Sequence, residues 1–350
     1  MTNSGPQPTN RTPLDIAIVN YPGAQLTCVH GLTDLFTYAD YFARELAGTA
    51  EPFVRVAHWR EKPAAAELEC TFETHPGASA TPTLVIVPAC QVAPPARALA
   101  PHSAAWFRRQ HDEHGAIVAA VCGGVFLVAD SGLLAGRRVT THWMFAEELG
   151  RRFPDLTINA DRIVIDDGDV VTAAGVFAWA DLGLTLVERV LGPAVMRATA
   201  RFMLIEPPGR EQSFYGDFGP RLRHGDQAIL AIQHWLQTNS TEACSVRALA
   251  ERAHLGERTF VRRFVKATGV TPSEYQQRLR IARSRELLEL TRDTVDQIAV
   301  KLGYEDAGGF RRIFKRVVGL SPAEYRRRFQ RERLVSTAVT NAPVAARRAG

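Results

Sequence analysis

The stretch FVRRFVKATGVTPSEYQQRL at 260–279 returns fifty positions later as FRRIFKRVVGLSPAEYRRRF at 310–329. Phe260/Phe310, Phe264/Phe314, Gly269/Gly319, Pro272/Pro322, Glu274/Glu324, Tyr275/Tyr325 and Arg278/Arg328 all coincide at that offset. Phenylalanines four apart line one face of a helix, and the glycine supplies the left-handed residue that ends it. A Thr-Pro or Ser-Pro then starts the next helix. Upstream of each copy lies a short amphipathic segment with an apolar-facing alanine, SVRALAERAHLGERT and TVDQIAVKLGYEDAGG. Ala250 or Ala299 lets two helices cross closely, and a tight turn (HLGE, or GYEDAG) follows. A Phe-x-x-x-Phe stripe alone is ordinary helix core. Two in register, with matched glycine, proline and tyrosine, spell a helix-turn-helix present twice.

With the phenylalanines inward, Arg258, Thr259, Arg262 and Lys266 point outward in the first copy. Gly308, Arg311, Arg312 and Lys315 do so in the second. Arg263 and Arg316 complete the basic candidates for DNA contact. Arginine matches the two acceptors of guanine, and lysine suits phosphate. The intervening helix, 273–291, is long enough to hold the copies about one turn of duplex, ~34 Å, apart. From Asp226 to Arg333 there are 21 Lys and Arg against 13 Asp and Glu, a net of +8 in a chain whose total is +5. A basic module joined to a mildly acidic remainder favours nucleic acid as partner of the first.

The remainder alternates strand and helix patterns. LDIAIVN (14–20), PFVRVAHW (52–59), ECTFETH (69–75), TLVIVPA (83–89), AIVAAVC (116–122) and RRVTTHW (137–143) have strand patterns. Between and after them come helical patterns at 31–48, from about Ala96 to His114, at 125–136, 144–153, 176–192 and 193–204. DRIVIDDGDVVTAAG has the pattern of a hairpin turning at Asp167-Gly168. This alternation implies a doubly wound α/β fold with a mostly parallel sheet, flavodoxin-like, ahead of an all-α C-terminal domain. Periodicity collapses over IEPPGREQSFYGDFGPRLRHGD (205–226). The expected organisation is a disordered tail 1–12, an α/β domain 13–205, a linker 206–225 that permits relative motion, the helical domain 226–333, and a disordered tail 334–350. Five scattered cysteines without CxxC or Cys/His spacing fit a reduced, cytoplasmic protein. No apolar run approaches the ~20 residues of a membrane span, and no signal peptide is evident at the start.

Over 226–331 the chain resembles the AraC/XylS family of transcriptional regulators, most specifically in GGFRRIFKRVVGLSPAEYRRRF. The resemblance implies two helix-turn-helix units, usually in a dimer at promoters, with Arg258, Arg262, Arg311 and Arg312 where that family reads bases. Two departures stand out. Gly308 and Gly309 replace larger residues, so the second recognition helix is expected to start late, and Val261 offers no hydrogen bond.

In the first half, AIVAAVCGGVF (116–126) ends a buried strand in a cysteine on a sharp turn. It resembles the nucleophile elbow of the class I glutamine-amidotransferase-like superfamily, in its PfpI group. SGLLAGRRVTTHW and NYPGAQ resemble the version fused to AraC-type regulators, so the likeness spans about 14–205. The elbow puts Cys122 at a helix start, an exposed position expected to depress its pKa. A peptidase-like member has histidine next to the cysteine; here it is Gly123. Relatives often carry an acid near the position of Cys28, where this chain has none. The amides of Gly123 and Gly124 suit a carboxylate, and Asp34, His142 and Trp143 are candidate walls for an amine-bearing ligand.

The resulting expectation is a sequence-specific regulator whose amidotransferase-like domain binds a small metabolite, an amino acid or amine, without catalysis. The expected partners are promoter DNA, a small-molecule effector, a second copy of the chain and RNA polymerase, with no cofactor, metal or membrane. The alternative is a cysteine amidase or peptidase, or a thiol redox sensor, working through Cys122.

Overall fold

The computed structural model describes residues 12–62, 67–77, 81–91, 102–215, 218, 222, 224–240 and 244–330. Both expected tails lie outside this range, apart from residue 12. Contacts divide the chain into two compact units, Met1–Gly216 and Asp217–Gly350.

The first unit runs β1 (Leu14–Val19), α1 (Leu26–Ala47), β2 (Val54–Glu61), β3 (Leu68–Glu73), β4 (Leu84–Val87), α2 (Ser103–His114), β5 (Ile117–Val121) and α3 (Gly124–Asp130). It continues with β6 (Arg138–Val139), α4 (Ala146–Arg152), β7 (Thr157–Ile158), β8 (Val164–Asp166), β9 (Val170–Ala173), α5 (Trp179–Leu191) and α6 (Pro193–Met203). Seven strands form one sheet in the order β3-β2-β1-β4-β5-β9-β8. The five inner strands β2-β1-β4-β5-β9 are parallel, and β3 and β8 are antiparallel edges. β4 and β9 are buried at every residue, as strands covered on both faces by helices must be. Chain order reverses between β1 and β4, and beyond such a switch point parallel sheets leave a crevice at the strand carboxyl ends.

Three elements differ from expectation. α1 begins at Leu26, five residues before Gly31, because the Gln25 carbonyl already accepts from the Cys28 and Val29 amides. Among the described residues, the segment RRVTTHW forms ladder pairs only at Arg138 and Val139, with β7. Thr140 and Thr141 then leave the ladder, their hydroxyls donating to the Arg162 carbonyl at 2.8 Å and the Cys122 carbonyl at 2.8 Å. A single 3-10 turn follows at Trp143–Phe145. The helix after the cysteine stops at Asp130, where the Ser131 hydroxyl donates to the Val128 carbonyl and Gly132 turns left-handed. α2 is described from Ser103, and its expected start near Ala96 lies outside the described residues.

The second unit is helical: α7 (Gln227–Thr238), α8 (Val246–Arg252), α9 (Glu257–Thr268), α10 (Pro272–Leu290), α11 (Val295–Lys301), α12 (Ala307–Val318) and α13 (Pro322–Phe329). It holds two cores of the same plan. In one, Phe260, Phe264 and Tyr275 pack with ring centroids 5.4 and 5.3 Å apart; in the other, Phe310, Phe314 and Tyr325 pack at 5.7 and 5.5 Å. Ala250 and Ala299 are buried at the helix crossings. Thr271 and Ser321 cap α10 and α13 ahead of Pro272 and Pro322, and Gly269 and Gly319 end α9 and α12 at φ 80° and 88°. α12 does not start late. Asp306 caps it, accepting from the Gly309 amide at 2.8 Å, so both glycines lie inside its first turn. A Cβ on Gly308 or Gly309 would stand 2.7 or 2.8 Å from the Asp306 carboxylate oxygens. The glycines make room for the cap.

Candidate functional site

Cys122 sits between β5 and α3 at φ 53°, in the left-handed region where a non-glycine residue is strained. Its amide donates to the Ala173 carbonyl at 2.7 Å, tying the elbow to β9. Gly124 lies so close to β4 that a Cβ would stand 2.4 Å from the Pro88 oxygen and 2.7 Å from the Val87 oxygen. The elbow geometry is therefore present. The thiol is not the exposed, activated group expected from the sequence: Cys122 is 1% exposed. Burial pushes its pKa up to about 12, assisted by nearby Cys90 and only opposed by the backbone amides of Gly123, Gly175 and His142 that face the sulfur. Desolvation outweighs the amide field, so the neutral thiol is the stable form.

Cys28, raised to about 12 by burial, and Tyr21, also raised, crowd the same turn, and the Tyr21 hydroxyl donates to the Pro88 carbonyl at 2.9 Å. The amide of Gly123 faces the sulfurs of Cys90 and Cys122. Gly123 and Gly124 are both buried, and α3 has only seven residues. Their amides are thus not an open carboxylate cradle. His142 reaches the elbow through its backbone. Its ring is half-buried, stacks near Trp143 and Phe145, and accepts from the Met144 amide through Nδ1 at 3.1 Å. Burial lowers its pKa, so it is neutral. Asp34 is exposed on α1. It lies about 9 Å along the axis and 120° around from Cys28, the α1 residue beside the elbow. The structure brings Cys122, Gly123, Gly124 and His142 together and leaves Asp34 apart.

Three large apolar residues that the sequence reading did not single out lie on segments beside the elbow. Leu26, Met144 and Phe177 are large, exposed apolar side chains. Each extends from a segment that touches the elbow: Ala24 bridges to Cys90, and the His142 and Gly175 amides face the Cys122 sulfur. Trp179 begins α5 and packs its ring across Gly31 of α1, where a Cβ would meet it at 2.6 Å. Its buried Nε1, and Oε1 of Gln25 at the start of α1, have no hydrogen-bond partner among the described residues. Buried polar atoms are normally hydrogen-bonded, so these two are candidate contacts for a bound molecule.

The segment 206–215, expected to be linker, is fastened to the α/β unit. Arg210 pairs with buried Asp181 at 2.8 and 2.5 Å, and Glu211 pairs with Arg162. Gln212 is 4% exposed. Its Oε1 accepts from the Trp143 amide at 2.9 Å, and its Nε2 donates to the carbonyls of Thr141 at 3.1 Å and Ala160 at 2.5 Å.

On the second unit, Arg258, Arg262 and Lys266 are exposed along α9, with Thr259 half-buried beside them. Glu257, Arg258, Val261 and Arg262 line one surface concavity. Arg263 is engaged elsewhere: its guanidinium binds Asp226, the cap of α7, at 2.8 and 2.6 Å and holds that carboxyl below its ordinary range. On α12, Arg311, Arg312, Lys315 and Arg316 are exposed. Arg311 pairs with Asp296 of α11 at 2.5 Å, and Arg316 donates to Gln277 of α10 at 3.2 Å.

A helix-turn-helix domain model matches residues 249–328, and a DJ-1/PfpI family model matches residues 78–189. The HTH-type transcriptional regulator CdhR of Pseudomonas aeruginosa is 27% identical over 66% of this chain and 69% of its own length. ArgR of the same organism, also an HTH-type transcriptional regulator, is 27% identical over 62% of this chain and 66% of its own. The HTH-type transcriptional regulator GlxA of Rhizobium meliloti is 27% identical over 61% and 66%. The chain therefore spans about two thirds of the length of these relatives.

Proposed function

From a chain that joins a DJ-1/PfpI family domain to an AraC-type helix-turn-helix domain, we infer a DNA-binding transcriptional regulator controlled by a small molecule. The observation that carries this reading is the duplicated core with exposed Arg258, Arg262, Lys266, Arg312 and Lys315 on the helix that follows each turn. An exposed guanidinium on such a helix is suited to a base edge in the major groove, and an exposed lysine to phosphate. The test is fluorescence anisotropy of the full chain on duplexes from its own promoter region across a salt series. Affinity for one duplex should exceed that for a scrambled one, and should fall steeply with salt through counterion release. Equal weak binding to every duplex refutes the reading. Transcription of the bound template by RNA polymerase then distinguishes activation from repression. This work belongs in the cytoplasm, where the free thiols stay reduced. Among the described residues, no helix is long and apolar enough to cross a membrane.

The effector site is the crevice at the strand carboxyl ends around the elbow. Its apolar rim (Leu26, Met144, Phe177), Trp143, and the orphan polar atoms of Gln25 and Trp179 favour a small molecule with an apolar body and both a donor and an acceptor. Burial of a protonated Cys122 and the neutral, backbone-engaged His142 support binding over hydrolysis or thiol sensing.

A second copy of the chain docks on the outer face of α1 and α6. Tyr38, Tyr41 and Phe202 are exposed there, with Tyr38 and Phe202 rings 4.7 Å apart and Phe42 5.7 Å from Phe202. Asp34 and Glu45 on α1 and Arg197 and Arg201 on α6 flank this centre, exposed. A two-fold axis laying one copy's α1 on the other's α6 matches acid to base, as a self-complementary interface requires. Substituting Phe202→Asp should give monomers in analytical ultracentrifugation at concentrations where the unaltered chain is dimeric.

A further inference from the structure

The buried side chain of Gln212 joins the elbow to the last residues before the second unit. Cys122 offers its carbonyl to the Thr141 hydroxyl at 2.8 Å, and Thr141 offers its own carbonyl to Gln212 Nε2 at 3.1 Å. One residue further, the His142 amide faces the Cys122 sulfur; the next amide, of Trp143, donates to Gln212 Oε1. The Gln212 and Ser213 amides both donate to the Asp161 carbonyl, at 2.7 and 3.3 Å, and the second unit begins at Asp217. Residues 140–143 thus touch the elbow with one edge and the exit segment with the other.

The primary amide of Gln212 is the feature that makes this contact discriminating. It uses both N–H donors and its oxygen at once, on three backbone groups from two loops. A small displacement of residues 141–143 breaks at least one of these bonds in a water-free setting. The contact therefore behaves as docked or undocked, with little between.

We propose that Gln212 is the positioning residue through which occupancy of the elbow crevice is transmitted to the segment leading into the DNA-binding unit. The proposal deepens the effector-site reading above and rests on it. A molecule wedged beside Cys122 displaces the Thr141–Trp143 loop, the loop releases or tightens Gln212, and residues 210–215 undock or dock. Such a device requires only that the effector prefer one of the two states. By reciprocity, DNA binding to one state then alters exchange in the loop.

The test uses the full chain and needs no identified effector. Amide hydrogen exchange at Gln212 and Ser213 is measured in the unaltered protein and in Thr141→Val, Gln212→Ala and Thr199→Val. Thr141→Val removes the hydroxyl bonded to Cys122, which itself touches neither reporter amide. The relay predicts exchange about tenfold faster at both reporters in Thr141→Val, a shift of about 1.4 kcal/mol. Thr199→Val deletes a comparable buried hydroxyl contact inside α6 and should leave them unchanged. Unchanged exchange in Thr141→Val, or the same acceleration in Thr199→Val, overturns the relay. In a second arm, affinity for the promoter-region duplex should shift in the same direction for Thr141→Val and Gln212→Ala. The double variant should match Gln212→Ala alone, because both act on one path. Additive effects also overturn the relay. A chain that binds no duplex refutes the regulator reading instead, while the exchange arm still decides the relay.

Discussion

Four glycines at helix positions offer a graded test of how tightly the α/β unit holds its elbow. An alanine at Gly124 places Cβ 2.4 and 2.7 Å from two backbone oxygens, of Pro88 and Val87. Neither oxygen can turn aside: Val87 is in the central strand β4, and the Pro88 oxygen accepts from the Tyr21 hydroxyl. Restoring ordinary contact requires a backbone shift of about 1 Å, at the upper end of the ~1–3 kcal/mol that overpacking costs. Gly31→Ala meets the Trp179 ring at 2.6 Å, a rigid side chain that must rotate or slide. Gly183→Ala meets Leu35 methyl carbons at 2.8 and 3.0 Å, which a rotamer change can relieve. Gly150→Ala in α4 meets only the Ile158 methyl at 3.4 Å, so the ordinary helix preference for alanine, up to about 1 kcal/mol, should prevail. The expected order of stability is Gly150→Ala above the unaltered chain, then Gly183→Ala, Gly31→Ala and Gly124→Ala. For a domain of this size each kcal/mol moves the melting point by about 2–4 °C, so Gly124→Ala should melt roughly 6–12 °C lower. Tryptophan fluorescence reports this unit selectively, since Trp59, Trp106, Trp143 and Trp179 belong to it and only Trp235 to the other. A Gly124→Ala protein that melts at or above the unaltered one refutes the close-approach argument.

Three further outcomes follow from the same geometry. Cys122, buried with its pKa pushed up to about 12, should resist iodoacetamide at pH 8 in the native state and react only on unfolding; rapid native labelling, read by mass spectrometry, contradicts the buried thiol. Arg263→Ala should lower the melting point of the helical unit by removing the partner of Asp226, with a similar loss of affinity on every duplex, whereas Arg262→Ala should leave stability intact and cost about 1–3 kcal/mol mainly at one base position; the reverse pattern would exchange their roles. His58, buried with Nε2 2.8 Å from the Thr33 hydroxyl, has its pKa lowered to about 4 by burial and nearby His30. The unfolded chain thus binds a proton that the folded chain refuses between about pH 6.5 and 4, so this contribution is present above pH 6.5 and is lost as pH falls toward 4. Urea midpoints should drop more between pH 7.5 and 4.5 in the unaltered chain than in His58→Gln, and equal drops would remove His58 from the account.

The fold was legible where one periodicity governs a whole element. Continuous apolar runs such as LVIV and IVAAV are central strands, and the offset of fifty residues fixes two equivalent cores around Phe264–Tyr275 and Phe314–Tyr325. Legibility ended where side chains bond to distant backbone. RRVTTHW has strand alternation, yet Thr140 and Thr141 spend their hydroxyls on Arg162 and Cys122 and turn the chain out of the ladder. The segment after α6 has linker composition, yet Arg210 and Gln212 find buried partners 29 and 71 residues away. The site was half legible for the same reason. The elbow is a local backbone feature and shows in CGG. The thiol's state depends on burial and on Cys90, which arrives from the end of β4.

The duplication itself carries a consequence for what the helical unit reads. At the offset of fifty, Arg258 and Thr259 correspond to Gly308 and Gly309, so the first turn of α9 presents a guanidinium where α12 presents only backbone and the Asp306 cap. Val261 corresponds to Arg311, whose charge is already neutralised by Asp296 on α11. Arg263, held by Asp226, corresponds to Ile313, which packs on the second core. Only Arg262 and Arg312 are matched in sequence, exposure and freedom from an ion pair among the described residues. The two helices are therefore alike in scaffold and unlike in reading face. On the regulator reading, one chain should select a bipartite, asymmetric site with a guanine-directed contact in each half and a stronger information content on the α9 side. Selection from a random duplex library measures this directly: two identical half-sites per chain would mean that the ion pairs of Arg311 and Arg263 open on DNA, and that the free protein's charge pattern does not set specificity.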